Sequence, residues 1–548
     1  MKKGLIQSAE ATPPAPGRQA AQRGHPQAVG AGGMAATAFP SASEAAAGIL
    51  RAGGNAIDAA VAAAWALSVC EPSGSGLGGQ TTILIRLADG MLRVIDGYSR
   101  GPEAVSKKRV SRKDQLRGYR ACTIPTTPAA LEFAQRRYGV LQRTAVMEPA
   151  IRLAEEGYAI TGLQHRQMKM CRKALLATDA AGRLFLKAGR AYRTGETFRQ
   201  PELAATLRRL AQAGAKDFYR GRLAETIAED MRQNGGLMTK ADLAEYEGPL
   251  ECEPLAIVYG DYRVLSVAPP SGGVQTLLGL KILEHLASDE RNRPADLWFE
   301  ILAEVTHAVF RDRKQFLFHP QDTTPELLSQ HLSDERISEI AEHIRARRDE
   351  PVAGADREGP GETTHLCTAD GLGNVVALTQ SIQSLYGAKV ANSRLGFLYN
   401  NYLSTCKRRP HPYQLDSGCI PISNASPTLV LRRGENGDRP VLAIGAAGSR
   451  RIVSSILQVI TGVLNRGMSL EEAVRMPRIH GLLGRKVYLE RPAASESLLR
   501  HLSRRFRGVT VKAASSNFMG GVQAIQCRED GTFVGMADPR RDGIAIGL

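Results

Sequence analysis

Gly361-Glu362-Thr363-Thr364-His365-Leu366-Cys367-Thr368-Ala369-Asp370 reads as a β-strand opened by two threonines and a histidine. An Asp-Gly-x-Gly-Asn turn from Asp370 to Asn374 follows, and then a second strand, Val375-Val376-Ala377-Leu378-Thr379-Gln380-Ser381. Upstream, Pro351 to Glu362 is rich in Gly, Pro and charge, the composition of an exposed connector. A hydroxyl at the start of a strand, just after such a connector, is the placement of an N-terminal threonine nucleophile. Cutting the chain before Thr363 would set a new α-amine beside that residue's own hydroxyl, where it can serve as the base. A Thr-Thr pair opening a strand is also what β-propensity alone produces, so the rest of the chain must decide.

At 548 residues, with 43% hydrophobic residues, the chain has room for several domains or for one large unit with interlocked halves. No stretch has the length of uninterrupted apolar residues that a membrane span needs. The N-terminus, Met1-Lys2-Lys3-Gly4-Leu5-Ile6, is basic but lacks a following apolar run, so no secretory signal is read and a cytoplasmic location is expected. Residues up to about Gly33, rich in Ala, Pro, Gly and Gln, read as a disordered arm. The eight cysteines are scattered without a CxxC pair or a zinc-type quartet, so buried thiols, and no metal or other cofactor, are expected. The net charge of +16 is spread over Arg-rich helices without aromatic interleaving. It fits a solvated basic surface that draws in anionic small substrates better than a nucleic-acid partner.

Outward from the central strands, Ser41-Ala42-Ser43-Glu44 has the form of a capping box, and Gly53-Gly54 of the stop to the helix it opens. A second, alanine-rich helix carries Ile57, Val61, Ala64, Trp65 and Ser68 on one face. The loop Glu71-Pro72-Ser73-Gly74-Ser75-Gly76-Leu77-Gly78-Gly79-Gln80 is rich in glycine, yet no Gly-Lys-Ser/Thr follows, so phosphate binding is a poor reading. A hairpin comes next, Thr81 to Leu87 and Met91 to Asp96. Residues 128 to 250 are mainly helical, and helices are expected from Val274 to Leu286, from Ala295 to Phe318, where His307 is packed or solvent-facing rather than catalytic, and from Arg451 to Leu464. A second hairpin spans Thr428 to Ile444. Helices, then strands, then helices predict a layered α+β sandwich.

Several separated pieces now stand in one order: Ala45 to Ala60, Ser75 to Gly79, Pro149 to Gly157, Thr363-Thr364-His365, Leu398 to Asn401, Ser426-Pro427-Thr428 and Ala537 to Arg540. Through them the chain resembles the γ-glutamyltranspeptidase (glutathione hydrolase) family over roughly residues 34 to 548. The resemblance implies the N-terminal-nucleophile fold, a four-layer αββα sandwich. It also implies a precursor that cuts itself before Thr363, leaving a large region (34–362) and a small one (363–548) that stay together. Thr363 would be both the processing and the catalytic nucleophile. Ser381 falls where the family holds that hydroxyl with a threonine. The family's Gly-Gly oxyanion hole falls on Gly448-Ser449; backbone N–H groups do that work, while a helix N-cap is the other reading of Ser449.

The implied substrate side departs from the family. Its carboxylate-binding arginine is Tyr98 here, with Arg100 two residues later as a possible substitute. The paired serines read Ser423-Asn424, and an asparagine near the second strand reads Gln383. The Asn-Asn-Gln-x-x-Asp segment reads Asn400-Asn401-Tyr402-Leu403-Ser404-Thr405, which puts Tyr402 for the glutamine and neutral Thr405 for the aspartate that holds an α-ammonium. Thr405 to Pro421 is also shorter than a lid-bearing loop. The expectation is a γ-glutamyl amide hydrolase/acyltransferase working through an acyl-enzyme. The alternative is a same-fold acylase for a non-glutamyl acyl amide such as a dicarboxylic side chain. A non-enzymatic binding protein is the distant reading, against which Thr363, Ser381 and Gly448 stand.

Overall fold

The computed structural model describes residues 25–287, 294–316, 318–346, 362–435 and 437–548. Two seven-stranded antiparallel sheets lie face to face. The first contains, in spatial order, Ile544–Gly547, Gly33–Thr37, Thr364–Asp370, Val375–Ser381, Gln80–Arg86, Leu92–Gly97 and Leu250–Cys252. The second runs Gln27–Gly30, Phe533–Ala537, Gly521–Cys527, Arg439–Ala447, Thr428–Arg432, Tyr262–Ser266 and Leu255–Tyr259.

Side chains alternate across each strand, and that alternation builds three cores. Cys367 and Ala369 join Met34, Ala36, Leu84, Ala377, Leu429, Ala443 and Ile525 between the sheets. Leu366, Val376 and Leu378 point the other way, into the helices Pro40–Arg51 and Ala56–Cys70. On the outer face of the second sheet, Val430, Leu442, Ile444, Val522 and Val534 meet the helices Gly273–Ala287, Ala295–Gln315 and Arg451–Leu464. Helix, sheet, sheet, helix is the expected αββα sandwich.

Facing pairs fix how the two sheets cross. A Cβ on Gly445 would stand 2.2 Å from Cε1 of His365, so only a glycine lets the strands meet there. The His365 ring is pushed down to about 3 by burial and stays neutral, with Nδ1 2.9 Å from the Thr379 hydroxyl. Further along, Gly535, in register with Ile525 and so with Ala443, rests on Met34, which pairs with Ala369. Arg439–Ala447 therefore runs antiparallel to Thr364–Asp370 across the interface. Its C-terminal end leads toward Thr363.

Both central strands and the helix from Arg451 form as the sequence reads. The capping box, however, lies one helix later than expected. The first helix begins at Pro40, pre-set for an N-terminal turn, with no side-chain bond at its Phe39 cap. Ser43 is inside it and bonds the Thr37 hydroxyl and the Ile544 carbonyl, both at 2.8 Å. The reciprocal box is made by Asn55 and Asp58 on the alanine-rich helix, which is buried along its whole length rather than on one face. The arm also ends before Gly33, because Gln27–Gly30 pairs with Phe533–Ala537. The rest of that arm, residues 1–24, and the connector up to Gly361 lie outside the described residues. Among the described residues no helix is long and apolar enough to cross a membrane.

Candidate active site

Strand register delivers the first contact. Thr364 pairs with Gln380, so the next pair outward is Thr363 with Ser381. The Thr363 hydroxyl donates to Ser381 Oγ at 3.3 Å, and Ser381 Oγ donates to the Glu362 carbonyl at 3.0 Å. The Gln383 N–H donates to the same serine oxygen at 2.9 Å, which leaves its proton aimed at Glu362. The carbonyl of the Glu362–Thr363 peptide is thus polarised beside the hydroxyl that follows it. Gly79 explains the glycine-rich loop: a Cβ there would lie 2.3 Å from the Ser381 carbonyl, and one on Gly78 would lie 2.1 Å from that of Leu398. These glycines permit close backbone approach to Ser381, the hydrogen-bond partner of Thr363.

A buried charged group surrounds the junction. Arg541 pairs with the Glu362 carboxylate at 2.8 Å, and Gln167 reaches the same carboxylate at 3.5 Å. Glu71, also buried, is pushed up to about 7 by burial, against the pull of Arg541 and the Thr364 hydroxyl. The antiparallel crossing of the sheets carries Gly448 and Ser449 toward this end. Both take positive φ, +128° and +59°, and a Cβ on Gly448 would strike Gly520 at 2.7 Å. Ser449 is not the helix cap: that place is held by Arg450, with no side-chain cap bond.

Of the residues expected to face substrate, Tyr402 is buried against Ser381, Ser423 and Gln80. Its hydroxyl proton is held more tightly than usual, chiefly by burial. Gln383 approaches through its backbone at φ +80°, its carbonyl accepting the Glu362 N–H at 3.2 Å. Thr405 donates to the Tyr402 carbonyl at 3.0 Å, closing the short turn Tyr402–Thr405. Ser423 and Asn424 both meet Arg313: Nη2 donates to the Ser423 carbonyl at 2.6 Å and Nη1 to Asn424 Oδ1 at 2.5 Å. Tyr98 is half-buried, while Arg100 is exposed with its guanidinium 6.0 Å from the Tyr98 ring. Contacts therefore link Thr363, Ser381, Gln383, Tyr402, Ser423 and Asn424 into one path, with Tyr98 and Arg100 on a neighbouring strand end.

The family profile described as Gamma-glutamyltranspeptidase matches residues 42–548. The chain belongs to the γ-glutamyltranspeptidase family. It is 32% identical over 554 residues to the glutathione hydrolase proenzyme of Bacillus subtilis (strain 168), covering 95% of this chain and 92% of that protein. It is 33% identical over 542 residues to the acylase ACY 1 proenzyme of Pseudomonas sp. (strain V22), covering 95% and 94%. The crystal structure of cephalosporin acylase from Bacillus halodurans superposes with a TM-score of 0.87 at 29% identity over 99% of each chain. The protein is thus an enzyme of this family.

The pieces that carry the γ-glutamyltranspeptidase resemblance have visible work. Asn400 donates to the Gly78 carbonyl at 2.7 Å and the Thr123 carbonyl at 2.9 Å, tying the glycine loop to the segment that carries Tyr402. In the Ala537 to Arg540 piece, Asp538 and Arg540 are buried with Arg478 and Glu490 in a charged network. Sequence reasoning missed Glu71, Arg541 and Arg313. Arg541 directly follows a matched piece and was within reach. Arg313 sits in the run Arg311-Asp312-Arg313-Lys314, which reads as a solvated helix face and hides it.

Proposed function

We propose that this enzyme is made as one chain that cuts itself between Glu362 and Thr363 and then cleaves acyl amides with Thr363 as nucleophile. The observation that carries this is the Thr363–Ser381–Glu362 relay. In the first step Oγ of Thr363 attacks the Glu362 carbonyl carbon, and Ser381 supports the oxygen that gains charge. The C–N bond breaks, the freed nitrogen takes the hydroxyl's proton, and water resolves the resulting ester. Glu362 is left with a carboxylate and Thr363 with a free α-amine.

That amine then takes the Thr363 hydroxyl's proton as the oxygen attacks a substrate amide, and delivers it to the departing amine. The acyl ester is resolved by water or by an acceptor amine. The N–H groups of Gly448 and Ser449 receive the developing oxyanion. Removal of the Glu362 carbonyl vacates the place beside Ser381 for the substrate's own carbonyl. The acyl group is γ-glutamyl or closely related, as in the relatives named glutathione hydrolase. A second reading, a non-glutamyl dicarboxylic acyl amide, is favoured by the neutral Tyr98 and Thr405 and by the relatives named acylases.

Mass spectrometry of the purified protein tests the mechanism class. The wild type and Thr363→Ser should give two fragments meeting at Glu362/Thr363, since each keeps a hydroxyl. Thr363→Ala should remain one inactive chain. Full self-cleavage by the alanine variant would sink the proposal.

A further inference from the structure

Near the end of the helix Ala295–Gln315, Arg313 aims its guanidinium at Asn424, Ser423 and Pro270. All three acceptors are neutral. Among the described residues no carboxylate pairs with it. Burial, with the Arg450 cation nearby, pulls Arg313 down to about 10, so it remains charged at neutral pH. Lys407 is depressed by burial and by the same two arginines, which makes this corner strongly positive.

The guanidinium borders a recess open to solvent and walled by Phe316, Phe318 and Tyr413. Two further polar groups line the recess without a partner. Ser271 Oγ and Gln275 Oε1 make no hydrogen bond among the described residues, although these side chains are only 2% and 4% exposed. Buried polar groups without partners are costly, and a cation without a counter-charge more so. A cation, a hydroxyl and an amide that can turn its NH2 inward, with aromatic walls, together suit a carboxylate on a short aliphatic chain. A chain of contacts runs from the recess to the reaction site. Ser423, whose carbonyl Arg313 grips, touches Tyr402, and Tyr402 touches Ser381 beside the nucleophile.

We infer that Arg313, with Ser271 and Gln275, binds a carboxylate at the far end of the acyl group. Specificity then rests on a dicarboxylic acyl chain and not on an α-ammonium. This assignment rests on the acyl-transfer reading above, and its test separates the two.

Processed wild type and Arg313→Gln, Arg313→Lys and Gln275→Leu variants are assayed on succinyl, glutaryl and adipyl anilides and on the uncharged pentanoyl anilide. Glutarate binding is measured in parallel by calorimetry, which needs no turnover. Cleavage at Glu362/Thr363 reports that each variant is folded. Wild type should prefer one dicarboxylic anilide to pentanoyl anilide by about 100-fold or more in kcat/KM, the scale of a lost partner to a buried charge. Arg313→Gln should lower kcat/KM on the dicarboxylic anilide by much more than on pentanoyl anilide, so that the preference collapses, and should remove the glutarate binding; Arg313→Lys should restore part of both. Gln275→Leu should move the same ratio in the same direction by less. Equal loss on charged and uncharged donors, or a loss that follows a carboxylate placed on the leaving amine, overturns the assignment. So does a wild type that neither binds glutarate nor prefers a carboxylate. Arg313-dependent glutarate binding without turnover of any anilide would uphold this site and overturn the acyl-transfer reading instead.

Discussion

At Ser381 a single hydroxyl stands between the Thr363 hydroxyl and the Glu362–Thr363 peptide that it is proposed to cut. Its proton is directed to the Glu362 carbonyl because the Gln383 N–H and the Thr363 hydroxyl both occupy its oxygen as donors. Ser381→Ala should slow self-cleavage by about 10²–10³-fold, the usual cost of one donor to a developing oxyanion, and Ser381→Thr should recover most of it. The rate is read by following the uncut chain on a denaturing gel; an alanine variant that matures at the wild-type rate refutes the relay. Glu71 has a different signature. Burial raises it from an ordinary 4.5 to about 7 in the folded state, so the native protein holds a proton that the unfolded chain has released. Stability is fullest below about pH 4.5, falls as pH rises toward 7, and is level above that. Glu71→Gln should remove its share, on the order of 3 kcal/mol, and narrow the gap in melting temperature between pH 5 and pH 8. An unchanged gap would mean that Glu71 titrates normally. Asp96, also pushed up to about 7 by burial, keeps part of that slope in the variant.

The elements nearest the chemistry were the most legible. The strands Thr364–Asp370 and Val375–Ser381 form where the alternation and the Asp-Gly-x-Gly-Asn turn put them, because both local signals and burial agree. Asp370 ties that turn through the Leu372 and Asn374 N–H groups, both at 3.0 Å, and reaches the Ala56 N–H at 2.8 Å to anchor the alanine-rich helix. The misplaced capping box shows what a local pattern lacks: Pro40 starts the helix one residue before Ser41, so Ser41 and Glu44 both lie inside it and no side chain caps it. The loop from Thr405 to Pro421 reads in the sequence only as short. It is pinned by Gln115, which donates to the Leu403 carbonyl at 2.6 Å and the Cys406 carbonyl at 3.0 Å. The Cys406 and Cys419 thiols, 3.5 Å apart, hold its two ends together. Such contacts join distant residues, and Arg313 shows the same limit. Its significance depends on a recess assembled from three separate stretches of chain.

Across the whole molecule, the regions before and after Thr363 are laced through each other. In the first sheet, Gly33–Thr37 lies between Ile544–Gly547 and Thr364–Asp370, so a strand from one region is hydrogen-bonded on both edges by the other. Val375–Ser381 in turn pairs with Gln80–Arg86. In the second sheet, Gln27–Gly30 and Tyr262–Ser266 flank four consecutive strands from the later region. Side chains add to the lacing: Arg541 holds Glu362 at 2.8 Å, and Thr161 donates to Asp542 at 2.6 Å. Cutting at Glu362/Thr363 removes one covalent link and leaves this pairing intact. The two fragments should therefore elute from a sizing column as one particle of the intact chain's mass, even on extensive dilution. Separation would require breaking several strand pairs and opening the core between the sheets, which is unfolding. Calorimetry of the processed protein should accordingly show one cooperative transition containing both fragments. The uncut Thr363→Ala chain should melt at a temperature within several degrees of it. Two resolved transitions, or fragments that part without denaturant, would show that the interlocked sheets do not hold the halves together.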